Sequence, residues 1–110
     1  MDRDKIEKII QVYLQDLSAK IKIDTAILFG SALSGKFSEG SDIDLLILSS
    51  EFRKMSDSDR FDLLYTSRLS KVTQSTPMDI FGLTPEEYKN ADPLSITGEI
   101  KDTGRELIIM

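Results

Sequence analysis

Residues 28–48 read "LFGSALSGKFSEGSDIDLLIL", and two phosphate-handling patterns overlap in them. Gly30, four residues, then Gly35-Lys36 is how a P-loop opens. Gly30-Ser31, ten residues, then Asp42-Ile43-Asp44 is a turn followed by paired carboxylates. The P-loop fails on its chemistry. It needs Ser or Thr after the Lys, because that hydroxyl ligates magnesium, and here Phe37 follows Lys36. It also needs a helix running on from the loop, so that the helix N-terminus faces the phosphates. Gly40-Ser41 and an apolar strand pattern follow too soon for that.

The second pattern has a physical basis. Side chains at i and i+2 of a strand share a face, so Asp42 and Asp44 project together, roughly 6–7 Å apart at the backbone. Such a pair repels unless a cation lies between, and it can bridge two metal ions about 3.5–4 Å apart. A lone Asp-x-Asp is also what a solvated strand end looks like. Gly30-Ser31 adds the complement: a strand, a Gly, and a Ser opening a short helix expose backbone N–H groups and a hydroxyl to an anion. Taken alone it reads equally as a plain strand-to-helix turn with a Ser cap. Together the two elements put an anion cradle and a carboxylate pair at the ends of two adjacent strands, which suits a metal-bound triphosphate. Asp79, in "PMDIF", places one acid within an apolar strand, where an unpaired charge is costly. Either it faces solvent from an edge strand, or its strand lies beside that of Asp42 and Asp44 and three carboxylates converge.

Working outward, Ile6, Ile9, Ile10, Tyr13, Leu14, Leu17 and Ile21 keep helical spacing and predict an amphipathic helix over 4–20. "TAILFG" predicts a short buried strand, Ser31 to Lys36 a turn or two of helix, and "SDIDLLILS" a strand apolar on both faces and therefore central. "FRKMSDSDR" reads as a polar loop. Ser56 with Asp59 caps a helix continued by Phe61, Leu64, Tyr65, Arg68 and Leu69. "PMDIFGL" is a third strand. Thr84, Pro85 and Glu87 start another helix. A helix from Asp92-Pro93 through Ile100 and a turn at Thr103-Gly104 lead to the apolar "RELIIM". The expectation is one α/β (α+β) domain over 1–110, a small mixed sheet flanked by helices.

Composition narrows the chemistry. The chain has 110 residues and a net charge of -5, so it lacks the basic footprint of strong nucleic-acid binding. It has no Cys and no His, which removes thiolate and imidazole chemistry and leaves oxygen ligands for any metal: magnesium, manganese or calcium. The N-terminus is no signal peptide and no apolar run is long enough to span a bilayer, so a cytoplasmic location is expected.

The stretch "FGSALSGKFSEGSDIDLLIL" resembles the signature of the DNA polymerase β-like nucleotidyltransferase superfamily, in its minimal (MNT) branch. That signature is Gly-Ser, ten residues, Asp-x-Asp, and a later lone Asp on another strand. The resemblance covers most of the chain and implies a polymerase β palm-like fold. It implies that Asp42, Asp44 and Asp79 hold Mg2+ (two ions, with Mn2+ an alternative), and that Asp79 assists deprotonation. Gly30 and Ser31 would take the nucleotide phosphates, with Lys36 and Ser41 as further nucleotide contacts. It further implies transfer of AMP from ATP, or of another NMP, to a hydroxyl, a tyrosine of a HEPN-domain toxin for which the chain is the antitoxin. One departure stands out. The family pattern carries Arg after the Gly-Ser turn, where "GSALSG" has Leu33 and Ser34. This favours a second reading, a catalytically weak or silent antitoxin that binds nucleotide and blocks its partner by contact. A sugar-nucleotide glycosyltransferase using Asp-x-Asp would need a separate acceptor domain, for which 110 residues leave no room.

Overall fold

A computed structural model describes residues 3–29, 43–91 and 105–107. Helix α1 (Arg3–Ser18) leads into strand β1 (Thr25–Phe29), then β2 (Ile43–Leu48). A short 3-10 helix (Ser50–Lys54), α2 (Asp57–Thr66) and α3 (Lys71–Ser75) cross to β3 (Met78–Leu83), followed by α4 (Pro85–Lys89) and β4 (Arg105–Leu107). The sheet order is β3-β2-β1-β4. β1 runs antiparallel to β2 and β4, and β2 runs parallel to β3, so the sheet is mixed and β2 is central as its two-sided apolar pattern requires.

The alternation of β2 sorts two apolar layers. Ile43, Leu45 and Ile47 join Ala26, Leu28, Met78 and Ile80 under α1, whose Ile6, Ile9, Ile10, Tyr13, Leu14 and Leu17 are all buried. Each large aliphatic side chain so buried contributes about 2 kcal/mol. Leu46 and Leu48 face the other way with Ile27, against Phe29, Leu83 and Tyr88.

"FRKMSDSDR" departs from the expected polar loop at both ends. Phe52 is fully buried in the main core, on a 3-10 helix capped by the Ser49 hydroxyl, which accepts from the Glu51 N–H at 3.2 Å. Arg60 is also buried. Its guanidinium donates to the Phe52 carbonyl (2.7 Å), the Gly82 carbonyl (3.2 Å) and Glu87 Oε1 (2.7 Å), and lies over the Phe52 ring. Enough partners surround this charge to hold it inside.

The helix after Ser56 starts as expected, its hydroxyl accepting from the Asp59 N–H. It ends earlier, at Thr66, so Arg68 and Leu69 do not continue it. Thr66 and Ser67 hydroxyls donate to the Asp62 and Leu63 carbonyls at 2.6 Å and close the last turn. Arg68 then donates to the Thr73, Gln74 and Thr76 carbonyls at the end of α3, a helix the sequence pattern did not reveal. Phe61 and Leu69, two of the residues from which the helix is read, are largely exposed.

β3 is an edge strand, and α2 covers its outer side. The Ile80 N–H donates to the Tyr65 hydroxyl at 2.9 Å, and Arg60 takes the Gly82 carbonyl. Both groups would otherwise offer pairing to another strand. The Thr84 and Glu87 capping box forms in full, with Pro85 in the first turn of α4. No helix among the described residues is long and apolar enough to cross a membrane.

Candidate active site

The Ile43 N–H donates to the Pro77 carbonyl at 2.9 Å, which locks the start of β2 to the start of β3. That bond sets the register: Ile43 stands beside Met78, and Asp44 beside Asp79. Partners across a ladder lie about 4.8 Å apart at the backbone and share a face. Ile43 and Met78 enter the main core, so the two aspartates point to the opposite face, away from α1. Asp44 is half-buried and Asp79 exposed. Asp79 is therefore exposed on an edge strand, and that strand also lies beside the one that carries Asp44.

Two aromatic residues complete this face, and the sequence reading missed them. Phe29, the last residue of β1, is the register partner of Asp44 on its other side. Phe81 follows Asp79 by two residues and stands beside Leu46. The two rings lean towards each other across β2, with centroids 6.1 Å apart and planes tilted by 40°. The signal was the period of two: Phe29 shares parity with Ile27, and Phe81 with Asp79. An apolar flank of this kind lowers the local dielectric and strengthens charge interactions beside it.

Gly30, Ser31, Lys36, Ser41 and Asp42 lie outside the described residues, as do the expected helices at 31–36 and 92–100. Among the described residues no group of three or more His, Cys, Asp or Glu gathers at one place. Asp44 and Asp79 are the two predicted site residues that the described structure brings together. A shallow groove is bounded by Tyr65, Thr66, Arg68, Leu69 and Gln74, and its Arg68 is committed to backbone carbonyls.

The polymerase β nucleotidyltransferase family model matches residues 5–109. The chain belongs to that family. Its sequence is 32% identical over 105 residues to a candidate protein adenylyltransferase of Methanocaldococcus jannaschii, covering 94% of this chain and 99% of that protein. The fold is similar to the crystal structure of a candidate nucleotidyltransferase from Sulfolobus solfataricus (TM-score 0.65, 18% identity, 82% of this chain and 77% of that one). It is also similar to a chain of a toxin–antitoxin crystal structure with AMP-PNP (TM-score 0.59, 19% identity, 92% and 70% covered). The α/β nucleotidyltransferase fold expected from Gly-Ser and Asp-x-Asp is thus the fold this family member has.

Proposed function

We propose that this nucleotidyltransferase family member transfers AMP from ATP to a hydroxyl of a partner protein, a tyrosine of a HEPN-type toxin, and so acts as its antitoxin. The observation that carries the reading is the register pairing of Asp44 with Asp79 on the sheet face opposite α1. The candidate adenylyltransferase relative and the toxin–antitoxin fold neighbour support the donor and the partner. In the reaction the acceptor oxygen bonds to the α-phosphorus while the bond to the bridging oxygen breaks. Pyrophosphate leaves with that electron pair, and the hydroxyl proton passes to Asp79.

The donor set fits a divalent cation. Asp44 and Asp79 offer hard oxygen ligands side by side, and the chain has no Cys or His to draw a softer metal. Asp42, Asp44 and Asp79 would hold magnesium, which supplies charge neutralisation along the phosphates. The residues themselves orient the phosphate chain and accept the proton, and positioning with electrostatics accounts for most of such catalysis.

The second reading, nucleotide binding without turnover, draws on "GSALSG", where Leu33 and Ser34 stand in place of the family's Arg. Incubation with labelled ATP, magnesium and the co-expressed partner separates the two. Label on a partner tyrosine supports transfer. A stable complex with bound, unspent ATP supports the silent module. Equal ATP affinity with magnesium and with EDTA would defeat the transfer reading.

A further inference from the structure

Helix α2 is apolar on two sides, and only one of them meets the core. Inward it buries Arg60 and Leu64, with Leu63 packed against the core. Outward, Phe61 is 58% exposed and Leu69, just past the helix, is 57% exposed. The two are joined. The Phe61 ring packs on Tyr65 with centroids 4.4 Å apart, and Tyr65 and Leu69 line the same shallow groove. The Tyr65 hydroxyl accepts from the Ile80 N–H at 2.9 Å, which ties this row to the edge strand that carries Asp79. A contiguous exposed apolar row marks an interaction surface, where single exposed residues would not.

Charge selects the occupant. Between Asp57 and Leu69 the acids Asp57, Asp59 and Asp62 are all exposed, and none has an ion-pair partner among the described residues. The two cations of the same stretch are spent. Arg60 is held by Glu87 and the Phe52 and Gly82 carbonyls, and Arg68 by the carbonyls of Thr73, Gln74 and Thr76. Asp57 and Asp59 lie in the first turn, where helix N–H groups favour acids, but Asp62 lies beyond that reach. On the helix surface Asp57 neighbours Phe61, and Asp62 neighbours Tyr65. The apolar row therefore has a negative rim. Two copies of this face would set like charges together, and an anionic lipid surface or nucleic acid would be repelled. A basic partner is attracted. On the β3 edge the Ile80 N–H and the Gly82 carbonyl are already taken, so the arriving element must satisfy its own backbone, as a helix does. We propose that the outer face of α2, centred on Phe61, docks a basic amphipathic helix of the partner protein. The apolar stripe of that helix packs on Phe61, Tyr65 and Leu69, and its cations meet Asp57 and Asp62. This rests on the partner-bound reading and adds to it the surface that holds the partner.

The test is a titration, by fluorescence anisotropy and two-dimensional NMR, with a labelled peptide of about four helical turns. It carries Leu at helical spacing and Lys elsewhere. One control scrambles the same composition, and another has Glu for every Lys. The Lys peptide should bind saturably with shifts centred on residues 57–69, and neither control should bind at the same concentration. Phe61→Ser should weaken it about tenfold, the scale of one aromatic contact, with an unchanged melting temperature. Asp57→Lys combined with Asp62→Lys should transfer the preference to the Glu peptide. Equal binding of the scrambled peptide, shifts centred elsewhere, or unchanged affinity in both variants overturns the proposal. So does a wild-type dimer that Phe61→Ser turns into monomer, since a second copy would then hold the face. Magnesium-ATP affinity should be the same in Phe61→Ser as in wild type. Wild type that binds the Lys peptide at α2 but no magnesium-ATP upholds the docking surface and defeats the transfer reading instead.

Discussion

Asp44 and Asp79 are each the second residue of their strand and stand side by side across the parallel β2–β3 ladder. Thirty-five positions apart in sequence, they share one face because the Ile43–Pro77 bond fixes the register. A slip of one residue would turn either carboxylate into the core.

Asp44→Asn keeps the side-chain shape and removes one charge from this pair. Nucleotidyl transfer should fall by at least about 100-fold, the scale of losing one electrostatic partner of a reacting phosphate. Saturating magnesium-ATP should stabilise wild type, by about 2.7 kcal/mol at 100 times its Kd, and that stabilisation should vanish in the variant. Melting curves of both proteins, with and without ligand, read the binding and the fold together. A variant still stabilised like wild type would remove Asp44 from the site.

Much of this was legible in the chain. Helical spacing from Ile6 to Leu17 named a face that is wholly buried, and the parity of β2 separated Asp44 from its core neighbours Ile43 and Leu45. What escaped was decided by contacts distant in sequence. Phe52 lies among charged residues, so its composition reads as loop, yet the Arg60 guanidinium that covers it belongs to the next helix. The pairing of Asp44 with Asp79 needed the order of the strands, which no local pattern carries. The end of α2 at Thr66 depended on hydroxyls competing for backbone carbonyls, a feature that helical periodicity does not register.

Gly82→Ala tests how tightly α2 and the 3-10 helix press on β3. A Cβ there would stand 2.9 Å from Phe52 Cε2 and 3.0 Å from Leu64 Cδ1, and both neighbours are buried. Overpacking of this kind costs about 1–3 kcal/mol. Urea denaturation should show a lower midpoint at unchanged slope. Phe52→Leu in the same chain should recover part of the loss, because the two changes share a contact. Additive losses would mean that Phe52 is not the obstacle.

The Arg60–Glu87 pair sets an acid limit on the link between α2 and α4. The Arg60 hydrogen bond holds the Glu87 carboxyl below its ordinary 4.5, and the backbone at Thr84 adds to the effect. A lowered folded-state value stabilises above the ordinary one and is lost as pH falls through the lowered one. Wild type should therefore exceed Glu87→Gln by about 1 kcal/mol at neutral pH, a modest figure because the carboxylate is 46% exposed and screened. The gap should close below pH 4.5. A gap that does not narrow at all as pH is lowered from 4.5 would place the effect in packing instead of charge.

Tyr13 joins α1 to the end of α2, and its hydroxyl gives the last test. The Leu64 carbonyl is left without a helical donor, because the Arg68 N–H bonds to the Tyr65 carbonyl and the Ser67 N–H to that of Leu63. The buried Tyr13 hydroxyl fills the place, donating to the Leu64 carbonyl at 2.7 Å. Tyr13→Phe strands that carbonyl and should cost about 1–2 kcal/mol. Burial, helped by nearby Tyr65 and opposed by Arg68, raises the Tyr13 phenol well above its ordinary 10.0. A raised folded-state value leaves its stabilisation complete below the ordinary value. That stabilisation declines as the unfolded chain ionises above it, by at most about 1.4 kcal/mol per pH unit. The phenylalanine variant has no such group, so the wild-type advantage should be constant from pH 7 to 9 and shrink above pH 10. An advantage that stays the same at pH 11 would mean that the Tyr13 hydroxyl ionises as readily in the folded protein as in the unfolded chain.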